Sequence, residues 1–67
     1  MTNTEALREA IKRSGYRIYY IAENLGLTYT GLQKKVNGET EFKATEISKL
    51  SEMLKLSVAE RDRIFFA

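Results

Sequence analysis

The residues with the clearest chemistry are hydrogen-bonding side chains at helical spacing, namely Tyr29, Thr30, Gln33 and Lys34. An amide such as that of Gln33 can pair bidentately with adenine, and an ammonium such as that of Lys34 can donate to guanine O6 and N7. Tyr29 and the methyl group of Thr30 can contact thymine. This set suits the reading of bases in the major groove of DNA, and the alternative is an ordinary solvated helix face.

These side chains require a helix whose apolar residues face the other way. Leu32 and Val36 stand four residues apart, and Thr28 is a good N-cap. The Asn-Gly pair at 37–38 supplies a left-handed exit. We therefore predict a third helix over about 28–37.

A second helix precedes it, with its apolar residues on one face at Ile18, Ile21, Ala22 and Leu25. Two helices that cross steeply need a small residue where they touch and a glycine in the connecting turn. Ala22 and Gly26 fill these two roles. We therefore predict a helix-turn-helix over about 18–37.

A first and a fourth helix are indicated by the same periodicity. Apolar residues at positions 7, 10 and 11 predict a helix over about 4–14, with Thr2 or Asn3 as its N-cap and Thr2-x-x-Glu5 as a capping box. Apolar residues at 47, 50 and 54 predict the fourth helix. Its N-cap is either Lys43 or Thr45.

The last helix opens at the capping box Ser57-x-x-Glu60. Phe42 is expected to fold under the fourth helix as an anchor. The apolar groups of the last helix are Val58, Ile64, Phe65 and Phe66. The prediction is one all-α domain over 1–67, in which five short helices share one core.

Composition excludes several classes of function. The chain has 67 residues with no cysteine and no histidine, so thiolate and imidazole chemistry are ruled out, both for metal binding and for catalysis. Its carboxylates are scattered and form no sequence-visible pair with a nucleophile. We expect no enzyme, no cofactor, no metal and no small-molecule ligand. No apolar run approaches the roughly 18 residues that span a bilayer, so we expect a soluble, cytoplasmic protein.

Charge is unevenly distributed although the net charge is only +2. Residues 1–38 hold six basic and three acidic groups, whereas residues 39–67 hold five and six. The positive field therefore lies in the half that contains the predicted helix-turn-helix. This asymmetry is a weak indication of an anionic partner.

The order I-A-E-N-L-G-L-T followed by L and V-N-G resembles the helix-turn-helix of the Cro and lambda-type phage repressor family, also called XRE-like. The resemblance spans about residues 7–57. It implies a five-helix, lambda-repressor-like DNA-binding domain that acts as a sequence-specific transcription regulator of phage or prophage type. Its recognition helix, about 28–37, would enter the major groove of double-stranded DNA while the second helix lies across the backbone.

Several positions depart from the family pattern, including Ile18, where members often carry a Gln that contacts a phosphate or a base. Ile11 and Val36 stand where members commonly carry an Arg–Glu ion pair, and because both are replaced by apolar residues we predict that they touch. Arg17 stands where a Ser or Thr usually caps the second helix. The cap is therefore weaker, and Arg17 is free to reach a phosphate.

Contacts to the DNA backbone are expected from five residues around the motif: Arg17, Tyr19, Thr28, Lys35 and Asn37. Lys12 and Arg13 flank the same face. The loop after the third helix reads Glu39-Thr40-Glu41, and its two carboxylates are repelled by a duplex unless they point away. This loop weakens the expectation of strong binding by a monomer.

Several residues allow two structural interpretations. Gly31 costs about 1 kcal/mol relative to alanine in a helix, which fits either a loosely folded turn or a close approach of the backbone to DNA. We expect Tyr16 in the core at the first corner and one of Tyr19 or Tyr20 half-buried. The aromatic pair at 65–66 belongs to the core or to a partner surface.

The expected partners follow from size. A single small domain contacts few bases, so useful specificity requires a homodimer that reads two half-sites about 34 Å apart, or a larger partner. When bound, the protein would be associated with the nucleoid. The alternative function is a protein-interaction module on the same fold that binds another regulator, a toxin or a polymerase.

Overall fold

The computed structural model describes residues 1–66 and contains in that range five α-helices and no strand. Helix α1 covers Thr4–Ser14, α2 covers Ile18–Leu25 and α3 covers Tyr29–Val36. Helices α4 and α5 cover Ala44–Met53 and Val58–Phe65. The all-helical prediction is confirmed. None of the helices in the described range is both long and apolar enough to cross a bilayer.

Side-chain hydrogen bonds mark the starts of α1 and α4. Asn3 caps α1, with its Oδ1 accepting from the Ala6 N–H at 3.1 Å, so the predicted capping box beginning at Thr2 is wrong. Lys43 occupies the N-cap of α4, and its N–H donates to Glu46 Oε1 at 2.8 Å. The sequence left this choice open between Lys43 and Thr45.

The capping box that opens α5 is confirmed in both directions. The Glu60 N–H donates to Ser57 Oγ at 3.1 Å, and the Ser57 N–H donates to Glu60 Oε1 at 3.3 Å. Substitution of such a cap by alanine costs about 1 kcal/mol of stability. The start of α5 is therefore set locally by two residues.

Each helix contributes one completely buried residue to a shared core: Leu7, Ile21, Leu32, Leu50 and Ile64. Full burial of such a side chain contributes about 1.5 to 3 kcal/mol. Phe42 is also buried, and its ring meets that of Phe65 edge to face with centroids 5.4 Å apart. Phe42 is therefore a buried anchor for the loop before α4, and the ring that it meets belongs to α5 rather than to α4.

Ile11 and Val36 are both buried in this core and line the same surface depression beside α1 and α3. The shared environment agrees with the predicted proximity of these two side chains. Two apolar residues here fill the space without leaving a charge unpaired. The contact between α1 and α3 is accordingly hydrophobic at its base.

The tyrosine at the α1–α2 corner is not a core residue. Tyr16 is 40% exposed, and its ring lies against Tyr20 with centroids 5.3 Å apart. The Tyr16–Tyr20 contact therefore lies at the surface of this corner. Tyr19 is more exposed, at 63%, and Tyr20 keeps 45% of its surface, so the half-buried ring of the pair is Tyr20.

The C-terminal aromatics divide between core and surface. Phe65 is buried together with Ile64, whereas Phe66 is 61% exposed. Val58, also predicted as an apolar group of the last helix, is 66% exposed. The inward face of α5 is therefore narrower than its composition indicates.

Candidate functional site

The candidate site begins with the connection between α2 and α3, which pack against each other. Gly26 ends α2 with φ of 72°, in the left-handed region, and the Leu27 N–H donates to the Ala22 carbonyl at 2.8 Å. The side chain of Ala22 is almost completely buried. A small residue and a glycine thus allow two helices to meet across three connecting residues.

Helix α3 separates an apolar face from a polar one. Leu32 and Val36 are buried. All four candidate base contacts remain accessible: Tyr29, Thr30 and Lys34 are exposed, and Gln33 is partly exposed. The protein itself does not occlude any of them, and they share one side of a helix that is free to meet a ligand.

Two of these side chains are already paired. Gln33 Nε2 donates a hydrogen bond to the Tyr29 hydroxyl oxygen at 2.9 Å. An amide nitrogen carries two hydrogens, so Gln33 keeps one N–H and its Oε1 for another partner. The pairing reduces the number of orientations that the amide can adopt.

A shallow depression of about 250 Å³ lies beside Gln33. Its floor is apolar, with contributions from Ile11, Ile18 and Val36, and its rim includes Arg8 and Lys12. The two cations lie one helical turn apart on α1. They add positive charge to the edge of the polar face of α3.

Arg8 also binds the end of α3 directly, through a hydrogen bond from Nη2 to Asn37 Oδ1. Asn37 is exposed, and this contact leaves its amide nitrogen as a donor. Arg8 was not among the site residues expected from the sequence. The signal that could have found it is its spacing of four from Lys12 on an amphipathic helix.

The position of Lys35 argues against its predicted role as a contact to the DNA backbone. Its side chain is only 11% exposed, and Nζ forms an ion pair with Glu46 Oε1 at 3.2 Å. Nζ also donates to the Glu41 carbonyl oxygen at 2.8 Å. Residues two apart on an α-helix point about 200° apart, so when Gln33 faces a ligand Lys35 faces away from it.

Three other predicted backbone contacts lie at the surface. Arg17 occupies the N-cap of α2 without a side-chain cap, and it joins no ion pair among residues 1–66. Tyr19 is exposed on the first turn of α2. The Thr28 hydroxyl accepts from the Gly31 N–H at 3.0 Å, and its own hydrogen remains available to donate.

Arg13 is directed to α5 and forms an ion pair with Glu60 at 3.0 Å. The hydrogen bond from the Ser57 backbone, followed by the contact with Arg13, lowers the pKa of Glu60 below its ordinary value of 4.5. This pair stabilises the α1–α5 contact. Arg13 therefore has a structural partner that the sequence analysis did not anticipate.

The acidic loop is held at its ends by the backbone. The Glu39 N–H donates to the Lys34 carbonyl at 2.9 Å, and the Glu41 carbonyl accepts from Lys35. Both side chains, Glu39 and Glu41, are exposed. Their charges are thus close in sequence to the polar face and oppose any anionic ligand that extends beyond the end of α3.

Comparison with protein-family models, with curated proteins and with solved structures finds no match to this chain. Within residues 1–66 no group of three or more acidic side chains is placed to hold a metal ion. The polar face of α3, with the cations of α1 and α2 around it, is the candidate functional site. Its chemistry is that of hydrogen bonding and charge.

Proposed function

We propose that this protein is a sequence-specific double-stranded DNA-binding transcription regulator of phage or prophage type. Helices α2 and α3 would act as a helix-turn-helix of the Cro and lambda-repressor kind, with α3 in the major groove. One observation carries the proposal. The exposed surface of α3, outside the buried stripe of Leu32 and Val36, presents four accessible hydrogen-bonding side chains and no apolar residue other than the ring of Tyr29.

The proposed contacts follow from donor and acceptor chemistry. Gln33 keeps an Oε1 acceptor and one N–H donor, which are the groups that adenine N6 and N7 require. Lys34 would donate to guanine or to a phosphate, and the exposed Arg17 and Arg8 would contact the sugar-phosphate backbone. Each base contact contributes about 1 to 3 kcal/mol of discrimination.

The direct experiment is selection of bound duplexes from a random pool at two salt concentrations. We expect a recurrent sequence, with half-sites about 34 Å apart if two copies bind. If about four to six phosphates are neutralised, the slope of log K against log salt is roughly −4 to −5. Affinity that does not change with salt, or a pool that stays random, would reject the proposal.

A matched pair of double variants tests the site. Gln33→Ala with Lys34→Ala removes two proposed base contacts, whereas Thr45→Ala with Lys49→Ala removes a polar residue and a lysine from the exposed face of α4. We expect only the first double variant to lose the preference for the selected duplex. Equal losses would show that the effect is one of charge or folding.

A second candidate is the protein-interaction module, favoured by a groove of about 610 Å³ between α4 and the C-terminal segment. The exposed ring of Phe66 lies at this groove, together with Ile47 and Arg61. Loss of a partner complex in Phe66→Ala, with duplex binding absent from the wild type, would favour this function. Loss of duplex binding in the α3 variant with an intact partner complex would favour DNA recognition.

A further inference from the structure

A charged pair lies on the side of α3 that faces away from the candidate site. The Lys35 side chain is 11% exposed and that of Glu46 is 8% exposed, and the two join the last turn of α3 to the first turn of α4. Removal of two charges from water is costly unless their contacts are well formed. Packing alone therefore does not explain why a charged pair occupies this place.

The contacts around this pair form a connected set. Lys35 Nζ bonds to Glu46 Oε1 at 3.2 Å and to the Glu41 carbonyl at 2.8 Å. Glu46 Oε1 also accepts from the Lys43 N–H at 2.8 Å. The Lys35 ammonium lies 5.9 Å from the centroid of the Phe42 ring, within reach of a cation–π interaction. One lysine thus joins α3, the acidic loop and α4.

Directional contacts of this kind can fix the rotation of a short helix, which apolar packing alone does not fix. Helix α3 has only eight residues, and two of them, Leu32 and Val36, are buried in the core. Apolar burial is non-directional, whereas charge-assisted hydrogen bonds have preferred distances and angles. The rotation of α3 about its own axis decides where Gln33 and Lys34 point.

We propose that Lys35 and Glu46 are positioning residues that set the rotation of α3 and thereby aim its polar face at the base edges. This inference rests on the proposed DNA-binding function. Lys35 contacts no DNA itself, and its effect reaches the bases through Gln33 and Lys34. A residue pair on the far side of the helix would thus contribute to DNA recognition.

The direction in which one substitution changes the affinity for DNA distinguishes this role from a phosphate contact. If Lys35 bound a phosphate, removal of the Glu46 charge in Glu46→Gln would free it and raise the affinity for DNA. If the pair positions α3, Glu46→Gln leaves Lys35 unpaired in a poorly hydrated place, so Lys35 moves out and α3 is no longer fixed. Lys35→Met, which keeps most of the aliphatic stem, should then act in the same direction.

The experiment compares binding of a duplex selected by the wild type with binding of a random duplex, across several salt concentrations and well below each unfolding midpoint. We expect Lys35→Met and Glu46→Gln each to reduce the preference for the selected duplex by up to about tenfold, the equivalent of one base contact. The salt slope should stay as in the wild type. The control Lys49→Met, at an exposed α4 lysine, should leave the preference unchanged.

The double variant K35M/E46Q removes both charges and avoids an unpaired one, so it keeps the test usable if a single variant does not fold. It should show the same loss of preference. Tighter binding by Glu46→Gln, a salt slope flatter by about 0.9 in Lys35→Met, or an unchanged preference in the double variant would overturn the inference.

Amide hydrogen exchange at Lys43 gives a readout without DNA. Faster exchange in Glu46→Ala, which removes the oxygen that accepts from the Lys43 N–H, supports the contact set, and unchanged exchange contradicts it. If the wild type selects no duplex, the proposed function fails and the recognition role fails with it. If the wild type selects a duplex but the variants keep full preference, only the positioning role is rejected.

Discussion

The amide nitrogen of Gln33 donates to the hydroxyl oxygen of Tyr29 across one turn of α3, at 2.9 Å. The hydrogen bond orients the amide before any ligand is present. A side chain oriented in advance loses less conformational entropy when it binds. Beyond its proposed contact with thymine, Tyr29 thus orients the donor and acceptor of the Gln33 amide.

This relationship predicts the effect of Tyr29→Phe, which removes the hydroxyl and keeps the ring. We expect discrimination at a single base pair to fall by about 1 kcal/mol, the contribution of one hydrogen bond, with the salt slope unchanged. The measurement is binding to the selected duplex and to its single-base variants. Tyr16→Phe is the matched control, since that hydroxyl lies at the α1–α2 corner, and an equal effect there would contradict the assignment.

Arg17 should contribute to the affinity for DNA through its charge alone. Because Arg17 lies exposed at the N-cap of α2, we expect Arg17→Ala to lower the affinity for the selected duplex and for a random duplex by the same factor. The slope of log K against log salt should become less negative by about 0.9, corresponding to one phosphate. Arg63→Ala, at an exposed arginine of α5, is the control. A change in base preference in Arg17→Ala would show that this residue reads sequence.

Gly38 is required by the backbone that follows α3. Its φ is 82°, and an added Cβ would lie 3.2 Å from Thr4 Cγ2. We expect Gly38→Ala to reduce the free energy of unfolding by about 1 to 2 kcal/mol. In a domain of this size each kcal/mol lowers the melting temperature by about 4 to 8 °C. Thermal unfolding followed by circular dichroism measures the shift, and a loss smaller than that of Gly31→Ala would contradict this account.

Gly31 differs from Gly38 because it lies in a regular helical turn. An added Cβ would meet Thr28 Oγ1, the capping atom of α3, at 3.0 Å. We expect Gly31→Ala to gain about 1 kcal/mol in helix propensity and to lose a similar amount as the cap shifts. The free energy of unfolding should change little. If duplex binding nevertheless falls steeply, the glycine is required for a close approach to DNA.

Glu60 should make stability sensitive to acid. Its pKa is lowered in the folded protein by the Ser57 hydrogen bond and by Arg13, so at low pH the unfolded chain takes up a proton more readily than the folded one. The stability that Glu60 contributes is present above its unfolded pKa and is lost as pH falls through the folded value. Melting temperatures between about pH 5 and about pH 3 should fall more steeply in the wild type than in Glu60→Gln. Parallel curves would contradict this.

Local signals in the sequence predicted the helices well. Apolar spacing, Thr28, Ser57 and the left-handed glycines act over a few residues, so their consequences can be derived without knowledge of the tertiary fold. The approximate bounds of α3 and the exposure of its polar face follow from the same periodicity. The N-cap of α1 could not be chosen from the sequence, because Thr2 and Asn3 are adjacent and both are able to accept a hydrogen bond.

Long-range partners could not be predicted in this way. Lys35 resembles an exposed lysine until α4 brings Glu46 to it, and Arg13 resembles a flanking charge until α5 brings Glu60. The helical angle between Gln33 and Lys35 was available from the sequence, and it already excluded a shared face. Tyr16 was misplaced because composition does not reveal which corner of the chain stays in water.

The uncapped start of α2 has a further consequence. Without a side-chain acceptor at Arg17, the first N–H groups of that helix rely on solvent, and its opening turn should fray more readily than that of α1 or α3. An anion seated there would complete the missing hydrogen bonds and slow the fraying. The free protein would then be least ordered at the place where we propose that a duplex binds, and binding there would raise the melting temperature.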